Sequence, residues 1–153
     1  MASTTFSGPV TSTNGFIGDL TGNVTGNIAG TGRITHATTS AINATATATA
    51  AEVATGYITS TSASATAITL PTGTLLGAAL GAVRGTVFDL YVDNTAGAST
   101  VTMVVAVNGI LSSGAADTPG SFGDLTIAAG ATGLARYTIM FSSATAYVFT
   151  RTA

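Results

Sequence analysis

Residues 86–94 read TVFDLYVDN, and their alternation separates two faces. Val87, Asp89 and Tyr91 fall on one side of an extended chain and Phe88, Leu90 and Val92 on the other, which makes the second set the core face. Six further stretches share this β-branched and aromatic enrichment: YITST (57–61), ATAITL (65–70), STVTMVVAV (99–107), DLTIA (124–128), ARYTIMFS (135–142) and TAYVFTR (145–151). The segments between them, DNTAG, NGILSSGAADTPGSFG, AAGATG and SSA, have turn and loop compositions. Seven such stretches in residues 57–153 predict an all-β domain, an antiparallel β-sandwich or jelly roll. Within it, VTMVVAVNG (101–109) is apolar on both sides after Thr102, so a strand covered on both faces, and with it a neighbouring subunit, is expected. LARYTIMFSSATAYVFTR (134–151) reads as a hairpin turning near Ser142–Ala144, without the Gly that a two-residue loop prefers.

Outward from this domain the composition changes. Residues 34–56, ITHATTSAINATATATAAEVATG, form a Thr/Ala tract whose small side chains let backbones approach closely. Alternation there favours an extended chain, while Ala46 to Val53 also suits a helical turn or two. Further out, GDLTGNVTGNIAG (18–30) repeats every four residues: Gly at 18, 22, 26 and 30, an Asp or Asn after each of the first three, then Leu20, Val24 and Ile28. A helix is excluded, because each Gly costs about 1 kcal/mol relative to Ala, and so is a long flat strand, in which the Gly positions leave nothing to pack. An extended or turn-punctuated ribbon fits, with Gly-Asn steps allowing positive φ and the branched residues filling a shared seam. One copy has nothing to bury that seam against, whereas three copies around an axis do. Residues 1–56 are therefore expected to be an extended Gly/Asn/Thr-rich arm for docking and trimerisation, and residues 57–153 the β domain.

At 153 residues the chain has room for one core plus an arm. Only 7% of residues are charged, with no Lys, four Arg and six acids. A surface of hydroxyls rather than charges is cheap to desolvate against other subunits. A net charge of −2 gives no footprint for nucleic acid. The apolar run Leu75–Val83 is about half of what a membrane span requires. There is no Cys, hence no disulfide or thiolate metal site. The opening MASTTFSGPV lacks a basic segment and an apolar core, so synthesis in the cytosol without a secretory signal is expected.

Catalytic chemistry has little material. His36, the one His, has no acidic or nucleophilic neighbour at a motif spacing, and neither a GxSxG elbow nor a Lys-bearing phosphate loop is present. Asp93-Asn94 reads as a turn initiator, and Asp117 and Asp124 as solvated loop acids. Calcium requires several carboxylates, and the glycine repeat supplies only Asp19. Arg136 and Arg151, in the terminal strands, read as surface or subunit-contact groups able to pair with Asp across an interface. No enzyme, cofactor or metal is expected.

The opening FSGPVTSTNGFIGDLTGNVTGN (6–27) resembles the N-terminal segments of phage virion proteins, head decoration (cement) proteins in particular. LPTGTLLGAALGAVRGTVFDLYVDNTAGASTVTMVVAVNGI (70–110) is similar to the sheet domain of the same group, with its LP start, small apolar loop, Gly85-x-x-Phe88 strand ending at Asn94, and TVT strand. The resemblance implies a homotrimer on the outer surface of a phage head at threefold or quasi-threefold positions, bound to the major capsid protein and without catalytic residues. On that reading Phe6, Pro9, Val10, Phe16 and Ile17 anchor on the capsid. Leu20, Asn23, Val24, Asn27 and Ile28 form the trimer seam. The alternative is a tail-fibre or receptor-binding adhesin module, for which four Tyr and no Trp are a poor supply of sugar-stacking rings.

Overall fold

The computed structural model describes His36, residues 38–111 and residues 124–152. They belong to a compact unit, Thr35–Ala153; the other unit, Met1–Ile34, lies outside the described residues. Along the chain run β1 (Ser40–Ala41), β2 (Ala46–Thr47), α1 (Ala50–Ala54), β3 (Tyr57–Thr59), β4 (Thr66–Thr69) and α2 (Gly73–Leu80). There follow β5 (Val87–Asp93), β6 (Val101–Val104), β7 (Gly109–Leu111), β8 (Thr126–Ile127), a 3₁₀ turn (Gly130–Thr132), β9 (Leu134–Ser143) and β10 (Ala146–Arg151).

These strands make two sheets, one of six in the order β1-β3-β5-β9-β10-β7 and one of four in the order β2-β4-β6-β8. All seven expected stretches contain a strand. The expected all-β antiparallel sandwich or jelly roll is nevertheless overturned: the fold is mixed α/β, with β1, β3 and β5 parallel, β2, β4 and β6 parallel, and two helices. The physical reason lies at the corners. After each of its first strands the chain crosses to the other sheet instead of reversing, so it re-enters the same sheet one full turn later and in the same direction. Strand-sheet, strand-sheet and helix repeat as a coil: β1-β2-α1, then β3-β4-α2, then β5-β6. Only β9 and β10 form the expected hairpin, which turns at Ala144-Thr145.

Local chemistry sets each helix. Thr49 caps α1 through a capping box in which Glu52 returns to the Thr49 N–H at 2.7 Å. Thr72 caps α2, and Gly81 ends it in the left-handed conformation at φ 58°. The Thr/Ala tract thus holds a strand at Ala46–Thr47 and a helix from Ala50, both forms its composition favours. Gly73 and Gly77 lie one helical turn apart in α2, where an added Cβ would meet the carbonyl oxygens of Thr145 and Ala144 at the hairpin turn. The helix seats directly on that turn because both positions lack a side chain.

Both sheets and both helices feed one core. Ile58, Leu90, Val92, Tyr137, Ile139, Phe141, Tyr147 and Phe149 come from the larger sheet, Ile68, Val101, Met103 and Ile127 from the smaller, and Val53 and Leu76 from the helices. The Tyr137 and Phe149 rings stack at 4.6 Å, and the buried Tyr147 hydroxyl donates to Pro71 O at 3.2 Å. Burial pushes the Tyr147 phenol up to about 12.

Candidate functional site

The outward face of the six-stranded sheet is divided along its strands. Register places Val87 beside Met140, Met140 beside Val148, and Val148 beside Ile110, so one apolar row crosses β5, β9, β10 and β7. Val87 is 59% exposed, Met140 48% and Ile110 57%. At about 4.8 Å per strand the row spans ~14 Å. Large exposed apolar residues standing singly need no explanation, whereas three joined in register through the half-buried Val148 make a patch suited to protein contact. The next row is polar: Asp89 beside Thr138, and Thr138 beside Thr150.

Beyond it stands an aromatic ladder. Tyr57 and Tyr91, register partners on β3 and β5, stack at 6.2 Å with planes 21° apart. Arg136 lies 5.9 Å over the Tyr91 ring and pairs with Asp89, which also accepts from the Thr138 hydroxyl at 2.8 Å. His36 rests against both tyrosines, its Nδ1 2.9 Å from Thr55 O and its ring over Gly56, which at φ 75° has no Cβ to obstruct it. Asp93 accepts from the Tyr57 hydroxyl at 2.9 Å and from both the backbone and the side chain of Thr95.

On this face Asp89 is paired with Arg136 within the chain, and Asp93 is held by hydrogen bonds from Tyr57 and Thr95. The Thr95 hydroxyl and N–H hold the Asp93 carboxyl below its ordinary value. For Asp89, burial works upward, but hydrogen bonds from Arg136 and Thr138 outweigh it and leave the carboxyl below its ordinary value. Burial first, then the Asp93 hydrogen bond, raises the Tyr57 phenol. Asp124, expected in solvent, is instead buried and meets Arg151 at 2.8 Å while accepting from the Thr126 N–H at 2.9 Å. Arg136 and Arg151 both find their Asp inside the same chain rather than across an interface. Asp93 does start a turn, as expected, but Asn94 is buried and bonds three segments.

The residues expected to bind the capsid (Phe6, Pro9, Val10, Phe16, Ile17) and to form the trimer seam (Leu20, Asn23, Val24, Asn27, Ile28) lie outside the described residues. Sequence reasoning did not single out the apolar row. The outward position of Val87 was legible from the alternation of TVFDLYVDN, but its three neighbours come from strands whose register no local pattern sets.

Two hollows lie beside the first turns of the coil. One of about 420 Å³ is walled by Ala48, Leu70, Pro71, Leu75 and Ala106 near the caps Thr49 and Thr72. One of about 250 Å³ opens between β1 and β2 over Ile42. Among the described residues no group of three or more His, Cys, Asp or Glu is placed to hold a metal ion, and no helix is long and apolar enough to cross a membrane. No family model matches this chain, and no match is found among curated proteins or solved structures.

Proposed function

We propose that this chain is a structural, non-enzymatic protein of a phage particle, a homotrimer seated on the outer surface of the head that bridges subunits of the major capsid protein. The observation that carries the reading is the apolar row Val87-Met140-Val148-Ile110, beside which Asp89 is already paired with Arg136 within the chain. A surface of that kind is inexpensive to desolvate and gains about 1.5–3 kcal/mol per large apolar side chain buried. It supplies the contact between bodies. Phe6, Pro9, Val10, Phe16 and Ile17 anchor each copy on the shell, and Leu20, Asn23, Val24, Asn27 and Ile28 line the intersubunit seam. Each anchor binds weakly, and three on one trimer act together through effective concentration.

The adhesin alternative is weaker on geometry. The two tyrosines outside the core spend their ring faces on each other and on Arg136, leaving little flat aromatic surface for a sugar.

Binding to purified phage shells tests the reading with two variants. Deleting residues 1–17 is expected to leave a folded body that no longer decorates shells, and Val87→Asp/Met140→Asp to keep the far-UV spectrum while losing the trimer. Undiminished decoration by the deletion refutes the anchor assignment, and an intact trimer in the double variant refutes the role of the row.

A further inference from the structure

The corners that follow β1, β3 and β5 stack in one line. The parallel ladder of these strands continues one residue past each of them: the Ile42 N–H donates to Thr59 O at 2.9 Å and the Ser60 N–H to Asp93 O at 2.8 Å. Ile42, Ser60 and Asn94 therefore stand side by side, about 4.8 Å from one to the next. Ser60 lies two residues beyond the buried Ile58 and Asn94 two beyond the buried Val92, so both continue the inward face. Ile42 is 6% exposed, Ser60 1% and Asn94 0%.

Two oxygens in this line are buried and have no hydrogen-bond partner among the described residues, Ser60 Oγ and Asn94 Oδ1. Native interiors pair nearly all such atoms, because a buried polar group that loses water and gains nothing is costly. The Asn94 carboxamide cannot turn over to relieve its oxygen: its Nδ2 donates to the Ser99 and Ala128 carbonyls, which only accept. The Ser60 hydroxyl and Asn94 Oδ1 do not bond each other directly. A shared partner must donate to the carboxamide oxygen and either donate to or accept from the hydroxyl, which is the chemistry of water. Space for it lies over Ser60. Ile42 and Asn94 each carry three heavy atoms beyond Cβ and Ser60 between them only one, a shortfall comparable with the ~30 Å³ share of one water molecule.

We infer that this corner holds one structural water molecule, bridging Ser60 Oγ and Asn94 Oδ1. It fastens the β3–β4 corner to the β5–β6 corner from within, where the Ala98 N–H already donates to Ser62 O at 3.0 Å and the Thr66 N–H to Thr100 O at 2.9 Å. Through Asn94 the link continues to Ser99 and Ala128. The site lies within one chain and does not depend on the assembly proposed above.

A crystal structure of the full-length protein, at a resolution that shows ordered waters, is expected to place one water oxygen about 2.7–3.2 Å from both Ser60 Oγ and Asn94 Oδ1. A direct bond between the two side chains, a side chain from elsewhere in the protein at that place, or no water there overturns the inference. In solution, Ser60→Ala takes away one of the water's two protein contacts and is expected to lower the midpoint of urea unfolding. A midpoint unchanged or raised shows that Ser60 serves by its size alone, and equally overturns the inference.

Discussion

Asn94 holds three segments together with one carboxamide. It is fully buried, and its Nδ2 donates to Ser99 O at 2.9 Å and Ala128 O at 3.0 Å, tying the β5–β6 corner to the end of β8. Its backbone N–H donates to Gly133 O at 2.6 Å and its carbonyl accepts from Gly97 and Gly130. Asn94→Ala removes a fully buried donor from the Ser99 and Ala128 carbonyls and is expected to cost about 1–3 kcal/mol in urea denaturation at pH 7. Asn94→Asp directs a carboxylate at those carbonyls, which raises its pKa in the folded state. Its deficit is therefore fully present at neutral pH and shrinks as pH falls and the carboxyl protonates; equal deficits at pH 7 and pH 4.5 contradict that role. Asn94 was legible as a turn residue, because Asp93-Asn94 is turn chemistry. Its burial was not, since its partners lie 5 and 34 residues away.

At the scale of elements, α2 is where local and tertiary preferences conflict. Gly-rich GTLLGAAL is a poor helix by propensity, and the sequence reading treated it as an apolar loop. Contact with the β9–β10 turn overrides that preference: a Cβ on Gly77 would lie 2.0 Å from Ala144 O. Gly77→Ala is expected to destabilise by about 1–3 kcal/mol in thermal or urea unfolding, although Ala favours helix. A stabilised Gly77→Ala variant places α2 elsewhere. Strand positions and core faces were legible from period-two alternation, as Leu90 and Val92 illustrate, both fully buried where TVFDLYVDN put them. Strand direction was not. A five-residue separator such as DNTAG has the same composition whether it reverses the chain or turns a corner into the other sheet, and nothing local distinguishes the two.

On the scale of the whole molecule, a chain with few charges presents one apolar row on its larger sheet. On the reading proposed above, that row meets another protein surface. The expectation of assembly rests on the low charge and the glycine-spaced ribbon of the sequence. The sequence did not mark the row, which exists only after four strands are brought into register. The central claim is that copies of this chain complete one another, and the mass of the full-length protein in solution tests it most directly. Light scattering or native mass spectrometry is predicted to give three times the 14.9 kDa chain mass at micromolar concentration. A single 14.9 kDa species under the same conditions would contradict it.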